Sequence, residues 1–172
     1  MSDDARWGPP LAGAGRARGG AAPNNPVSSR IDALLEAARA RLQRLDARDL
    51  PAALDRGAVL VDIRPAAQRA AEGEVPDALI IERNVLEWRC DPTSDARIPQ
   101  AVDDDVEWVV LCSAGYTSSL AAAALQDLGL HRATDVIGGY HALAAAALGP
   151  NSPLGPKVRE AAAISSISGQ DG

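Results

Sequence analysis

The stretch that most constrains this chain is Glu107-Trp-Val-Val-Leu-Cys112-Ser-Ala-Gly-Tyr-Thr117-Ser-Ser-Leu120. Trp108 to Leu111 is a continuous apolar run rich in β-branched residues, as expected of a strand covered on both faces. Leu120 to Leu128 is strong helix former, Ser118 or Ser119 can cap it, and Gly129 supplies a stop. A strand, a short loop and a helix therefore follow one another, with a cysteine at the start of the loop. A helix N-terminus offers unpaired backbone N–H groups and the positive end of the helix dipole. Both favour a thiolate, which makes Cys112 the candidate nucleophile rather than a small buried hydrophobe.

The rest of the chain repeats that alternation. Ser28 to Arg44 reads as an amphipathic helix carrying Ile31, Leu34, Leu35, Ala38 and Leu42 on one face. Leu45 continues that face, and the ordered domain is expected over 45–148. Asp49–Gly57 is a short helix with an early proline, and Ala58–Arg64 a buried strand ending in polar residues. Pro65 opens another helix towards Glu72, Gly73–Asp77 is a turn, and Ala78–Ile81 is a third apolar run. Glu82–Arg89 predicts a short helix, and the acidic, proline-bearing Cys90–Asp105 a surface loop. Thr134–Ile137 is a fourth strand, Gly138-Gly139 a tight turn, and Tyr140–Leu148 a last helix. Strands and helices at this spacing predict an α/β fold with a central, mainly parallel sheet flanked by helices. Function in such sheets gathers at the carboxyl ends of the strands, where Asp62, Arg64, Glu82, Arg83 and Cys112 fall.

Residues 1–27 are rich in Gly, Ala, Pro and Arg without an apolar period, and 149–172 return to Pro, Ser and Gly. Both segments read as disordered tails. With no Phe and 3% aromatics, the core must be built from Ala, Leu, Val and Ile. A net charge of -6 offers no basic field for nucleic acid. No apolar run approaches a membrane span, and the N-terminus lacks the apolar centre of a signal peptide. Two cysteines, Cys90 and Cys112, make no disulfide framework. A cytoplasmic protein is the expectation. His131 and His141 show no metal spacing, and neither a metal nor a cofactor is called for.

Four pieces give the chain a family likeness: Leu60-Val-Asp62-Ile-Arg64, Gly73-x-Val75-Pro76-x-Ala78, the loop Cys112-Ser-Ala-Gly115-Tyr-Thr117, and Val136-Ile-Gly138-Gly139-Tyr140. In this order and spacing they resemble a rhodanese domain over roughly 45–148. Two positions depart from the family's Gly-His-Ile-Pro-Gly-Ala turn, which here has Glu74 for His and Asp77 for the second Gly. Leu143 stands where an aromatic residue is common. The resemblance implies a sulfurtransferase that carries sulfane sulfur as a persulfide on Cys112. It also implies that Arg64 ties down a nearby acidic side chain, so Asp62 and Arg64 are expected as supports of the loop.

The chemistry asked of such a loop is a double displacement through a covalent persulfide. It needs donors around the sulfur, expected from the backbone of Ser113, Ala114, Gly115, Tyr116, Thr117 and Ser118, with the Thr117 and serine hydroxyls adding to them. The partners are then a small sulfur donor (thiosulfate, a persulfide or a mercaptopyruvate-like molecule) and a thiol or cyanide acceptor. Cysteine phosphatases place an arginine six positions after the nucleophile, and that position is Ser118 here. The alternatives are a non-catalytic binding module of the same fold, and a redox role in which Cys90 resolves Cys112. Ser113 to Tyr116 are neutral, so the loop disfavours the thiosulfate dianion; Arg83 and Arg89 are expected to border the mouth and supply part of the missing charge.

Overall fold

The computed structural model describes residues 29–147, and the two tails expected from composition lie outside them. A capping box starts the first helix, α1 (Arg30–Arg41): the Asp32 N–H meets the Ser29 side chain while the Asp32 carboxylate accepts from the Ser29 N–H. Leu42 is already extended, so α1 is shorter at both ends than the 28–44 expectation. Its apolar face is only partly covered. Leu35, Ala38 and Leu42 are buried, whereas Ile31 and Leu34 are more than half exposed. The helix docks on the domain through its C-terminal half, which leaves its first turns in solvent.

After a 3₁₀ turn (Ala47–Asp49), α2 (Leu50–Asp55) leads into β1 (Val59–Asp62), α3 (Ala66–Glu72) and β2 (Leu79–Ile80). A second 3₁₀ turn (Arg83–Val85) runs into α4 (Leu86–Cys90). The chain then returns as β3 (Trp108–Leu111), α5 (Thr117–Asp127), β4 (Thr134–Asp135) and α6 (Gly139–Ala147). The four strands form one parallel sheet in the order β2-β1-β3-β4. Its registers set Asp62 beside both Ile80 and Leu111, so the carboxyl ends of β2, β1 and β3 lie level. Cys112 leaves the sheet at that rim.

Alternation along the strands divides the core into two layers. Val61 and Val110 pack with Trp108, Leu86, Cys90 and the small face of α5, namely Ala121, Ala122 and Leu125. Leu60, Val109 and Leu111 pack on the other side with Leu50, Ala53, Val136 and Leu143. The alanines let α5 lie close to β3, and α1 lies on α5. Cys90 departs from expectation. It ends α4 and is fully buried, because Leu86 and Cys90, one turn apart, face the core together while the surface loop begins only at Asp91. Trp88, on the opposite side of α4, is exposed. No helix among the described residues is long and apolar enough to cross a membrane.

Candidate functional site

Cys112 lies at the rim of the sheet with 8% of its surface exposed. The loop after it curls so that the N–H groups of Gly115 and Ser118 point at the sulfur, 3.2 and 3.4 Å away. Gly115 takes φ = +76°, the left-handed region that a side chain resists. Tyr116 caps α5 without a side-chain hydrogen bond. The Ser118 amide of the first helical turn is therefore free to serve the sulfur, which occupies the place of a capping group. Ser118 and Ser119 do not cap α5 as expected. Both are fully buried, and their hydroxyls each donate to Asp135 Oδ2, at 2.8 and 2.7 Å. The Cys112 thiol donates to Ser118 Oγ at 3.3 Å, so a hydroxyl joins the two amides around the sulfur. It comes from Ser118, while Thr117 is exposed.

The double glycine seats this loop. A side chain at Gly139 would overlap the Cys112 carbonyl and come within 2.7 Å of the Gly115 nitrogen. Without one, the first amides of α6 reach the loop: Tyr140 N–H donates to the Cys112 carbonyl at 2.8 Å and His141 N–H to that of Ser113 at 3.0 Å. Gly115 is equally enclosed, since a Cβ there would lie 2.7 Å from the Gly138 nitrogen. The two glycine sites fit into one another, which explains why the fourth motif accompanies the third.

Asp62 and Arg64 form a buried pair beneath the loop, each 1% exposed. Arg64 Nη2 meets Asp62 Oδ2 at 2.7 Å, its Nε sits 3.1 Å from both carboxylate oxygens, and the ring of Tyr140 covers the guanidinium at 4.1 Å. Burial alone would lower the Arg64 pKa, but hydrogen bonds to Asp62 and Glu72 outweigh it and raise the value. The path to the loop runs through Glu72 at the end of α3. Its Oε2 accepts from Arg64 Nη1 at 3.0 Å and from the Ser113 hydroxyl at 2.9 Å. Tyr140 completes the frame by donating its hydroxyl to the Glu72 carbonyl at 2.6 Å.

Arg83 and Arg89 each bond to a local partner, and neither has a hydrogen bond to the loop. Arg83 is paired with Glu87 at 2.7 Å, one helical turn on, and Arg89 donates to the Ala96 carbonyl. Helical spacing and a nearby loop carbonyl satisfy them locally. Two other arginines reach the loop instead, both from ahead of the sheet. Arg39 Nη2 and Arg44 Nη2 donate to the Gly115 carbonyl at 2.7 and 3.1 Å. Arg39 lies over the Tyr116 ring at 5.1 Å, and Arg44 Nε pairs with Asp135 Oδ1 at 2.7 Å. Arg39, Arg44, Glu72 and Asp135 were not singled out from the sequence, and Tyr140 stood only as the end of the fourth motif. The readable signal was Asp135, a carboxylate inside the expected strand Thr134–Ile137.

A parallel α/β sheet that ends in a cysteine, an amide-lined loop and a helix defines the class of domain. The profile of the Rhodanese-like domain family matches residues 46–146, and the chain belongs to that family. Among solved structures, a protein of unknown function from Rhodopseudomonas palustris, described as a possible tyrosine phosphatase, is 30% identical. It superposes with a TM-score of 0.61 over 73% of this chain and 96% of its own. The rhodanese-like domain of an Anabaena protein is 19% identical with a TM-score of 0.48, covering 59% of this chain and 73% of its own. A thiosulfate sulfurtransferase from Pseudomonas aeruginosa is 22% identical with a TM-score of 0.48, covering 63% of this chain and 19% of its own. No curated protein sequence matches.

Proposed function

We propose that the protein is a sulfurtransferase that moves sulfane sulfur through a persulfide on Cys112. The observation that carries this reading is the convergence of the Gly115 and Ser118 N–H groups on the Cys112 sulfur at the start of α5, within a rhodanese-like domain. In the first half-reaction the thiolate attacks the outer sulfur of a donor R–S–S⁻. The new S–S bond forms on Cys112 while the old one breaks, and its electron pair leaves on the thiolate RS⁻. In the second, an acceptor thiolate or cyanide attacks the outer sulfur, and Cys112 leaves as a thiolate. Neither half-reaction needs a general base once the thiolate exists. Each needs negative charge on sulfur to be met by fixed donors, which these amides supply without reorganisation.

The lining of the loop favours a donor of low charge. Ser113, the first residue after the nucleophile, is bonded to the Glu72 carboxylate, and Glu72 remains 23% exposed at its side chain. Arg64 pairs with Glu72 but is shared with Asp62, so the three groups together keep one negative charge, and Arg83 is paired with Glu87. A dianion such as thiosulfate meets an acidic group near its target, whereas a small organic persulfide meets less repulsion. Phosphoryl transfer is disfavoured, since the position six after Cys112 is Ser118, fully buried and bonded to Asp135 in place of a phosphate-clamping guanidinium. A disulfide role for Cys90 is disfavoured too. Burial, and secondarily Glu87, push its thiol up to about 12, so it is protonated and enclosed at neutral pH.

Steady-state transfer from a glutathione-type persulfide to cyanide, in the wild type and in Cys112→Ala, tests the assignment. Turnover that vanishes in the variant with an unchanged melting curve is the expected result. Turnover that persists would remove Cys112 from the reaction.

A further inference from the structure

The hydroxyl of Ser118 stands between two acceptors. Its oxygen is 2.8 Å from Asp135 Oδ2 and 3.3 Å from the Cys112 sulfur. While Cys112 is a thiol, its proton goes to Ser118 Oγ, and Ser118 gives its own to Asp135. Once the sulfur is negative it can only accept, and the single Ser118 proton must serve one partner or the other. Asp135 does not depend on that proton. Its Oδ2 also accepts from Ser119 Oγ at 2.7 Å and Arg44 Nη2 at 3.1 Å, and its Oδ1 from Arg44 Nε at 2.7 Å. The carboxylate is fully buried, so these partners hold it in one place.

We propose that Ser118 is a two-position hydroxyl, released by Asp135 to the Cys112 sulfur when the thiol ionises, with Arg44 and Ser119 retaining the carboxylate. This rests on the reading of Cys112 as the sulfur carrier and adds a positioning residue to it. On ionisation the thiol proton passes to water or a buffer base, Ser118 Oγ–H turns from Oδ2 to the sulfur, and no covalent bond other than S–H changes. The thiolate then has three donors, the Gly115 and Ser118 amides and the Ser118 hydroxyl. Arg44, the counter-charge of Asp135, precedes the residues that match the family, 46–146. The other charged or titratable groups around the loop are Arg39 on the Gly115 carbonyl and over the Tyr116 ring, Glu72 on Ser113, Arg64 with Asp62 behind Glu72, Tyr140 on the Glu72 carbonyl, and His141 at 3.6 Å from Glu72. None of them bonds to the Cys112 sulfur, and among the described residues Ser118 supplies the side-chain hydrogen bond to it.

The test is the pH profile of Cys112 alkylation by iodoacetamide in the full chain, for wild type, Ser118→Ala, Ser118→Thr and Ser119→Ala. A hydrogen bond to a charged group of ordinary strength moves the midpoint of the Ser118→Ala profile up by about one pH unit, or about tenfold in rate well below the midpoint. Ser118→Thr keeps the hydroxyl and restores the wild-type midpoint. Ser119→Ala touches the same carboxylate but has no bond to sulfur, and its shift should be less than about a third as large. Melting curves separate these shifts from unfolding. A Ser118→Ala midpoint equal to that of wild type, or one matched by Ser119→Ala, would overturn the proposal. Alkylation reads the thiol without sulfur transfer. Wild type that accepts no sulfur from a persulfide but shows the Ser118 shift would defeat the function and leave the hydroxyl assignment standing; loaded wild type without the shift would do the reverse.

Discussion

Replacing Arg64 by methionine tests whether the loop is held from beneath. The aliphatic stem and most of the volume remain, while the guanidinium is lost. Asp62, at 1% exposure, would keep only the backbone N–H of residue 64, at 2.9 Å, among its present side-chain donors. The Gly73 carbonyl would also lose its 2.9 Å donor and the Tyr140 ring its cation. Breaking a buried pair so that one charge is stranded costs about 3–5 kcal/mol. That is a third or more of the stability of a typical domain, and it should lower the melting temperature by roughly 10–20 °C. Adding Asp62→Asn removes the stranded charge, so the double variant should be more stable than the single one by about 1–3 kcal/mol. Urea unfolding of wild type, both single variants and the double variant gives the cycle. A loss of less than about 1 kcal/mol in Arg64→Met, or a double variant whose loss is the sum of the singles, would refute the reasoning.

Glu72→Gln keeps an acceptor for Ser113 and removes the acidic charge near the nucleophile, so thiosulfate KM should fall by about fivefold at low salt and less at high salt; an unchanged KM at both would show that this charge does not select the donor. The folded Cys90 thiol is raised from 9.0 to about 12. Its neutral form therefore contributes stability in full below about pH 9, and that contribution is lost as the pH rises towards 12, by at most about 1.4 kcal/mol per unit. Cys90→Ala should flatten the alkaline fall in stability measured by denaturant melts, and Cys90 in wild type should resist alkylation at pH 7 until the protein unfolds. Gly139→Ala, which places a methyl group on the Cys112 carbonyl, should cost more than about 3 kcal/mol. Gly57→Ala, at φ = +97° with open space around it, should cost only about 1 kcal/mol, and equal losses in the two melts would refute the seating of the loop on the double glycine.

The parallel sheet and the position of Cys112 were legible because they rest on short-range signals: an apolar run, a glycine that can take positive φ, and an Ala-rich helix. The pair Asp62 and Arg64 was legible as two polar residues ending a buried strand. Its continuation to Glu72 was not, because a glutamate on α3 reads like any solvated helix residue until the fold turns it towards Ser113. Arg39 and Arg44 were hidden for the same reason, among several arginines at helical spacing. Ser118 and Ser119 were read as caps, which is what serines do at a helix start unless a buried acceptor competes. Asp135 is that acceptor, and only strand pairing brings it within reach. Cys90 was assigned to a loop by its acidic neighbours, although its spacing from Leu86 marks it as the last inward residue of a helix. Position along the chain placed Arg83 and Arg89 at the mouth but did not reveal their local partners, Glu87 and the Ala96 carbonyl.

The central claim is that Cys112 carries the sulfur. Intact mass spectrometry of the full chain, after incubation with a small organic persulfide and removal of excess donor, tests it most directly. The account predicts a gain of one sulfur atom, located by peptide mapping on Cys112, absent in Cys112→Ala and discharged by cyanide. A chain that gains no sulfur from the persulfide or from thiosulfate, while Cys112 alkylates freely, would contradict it.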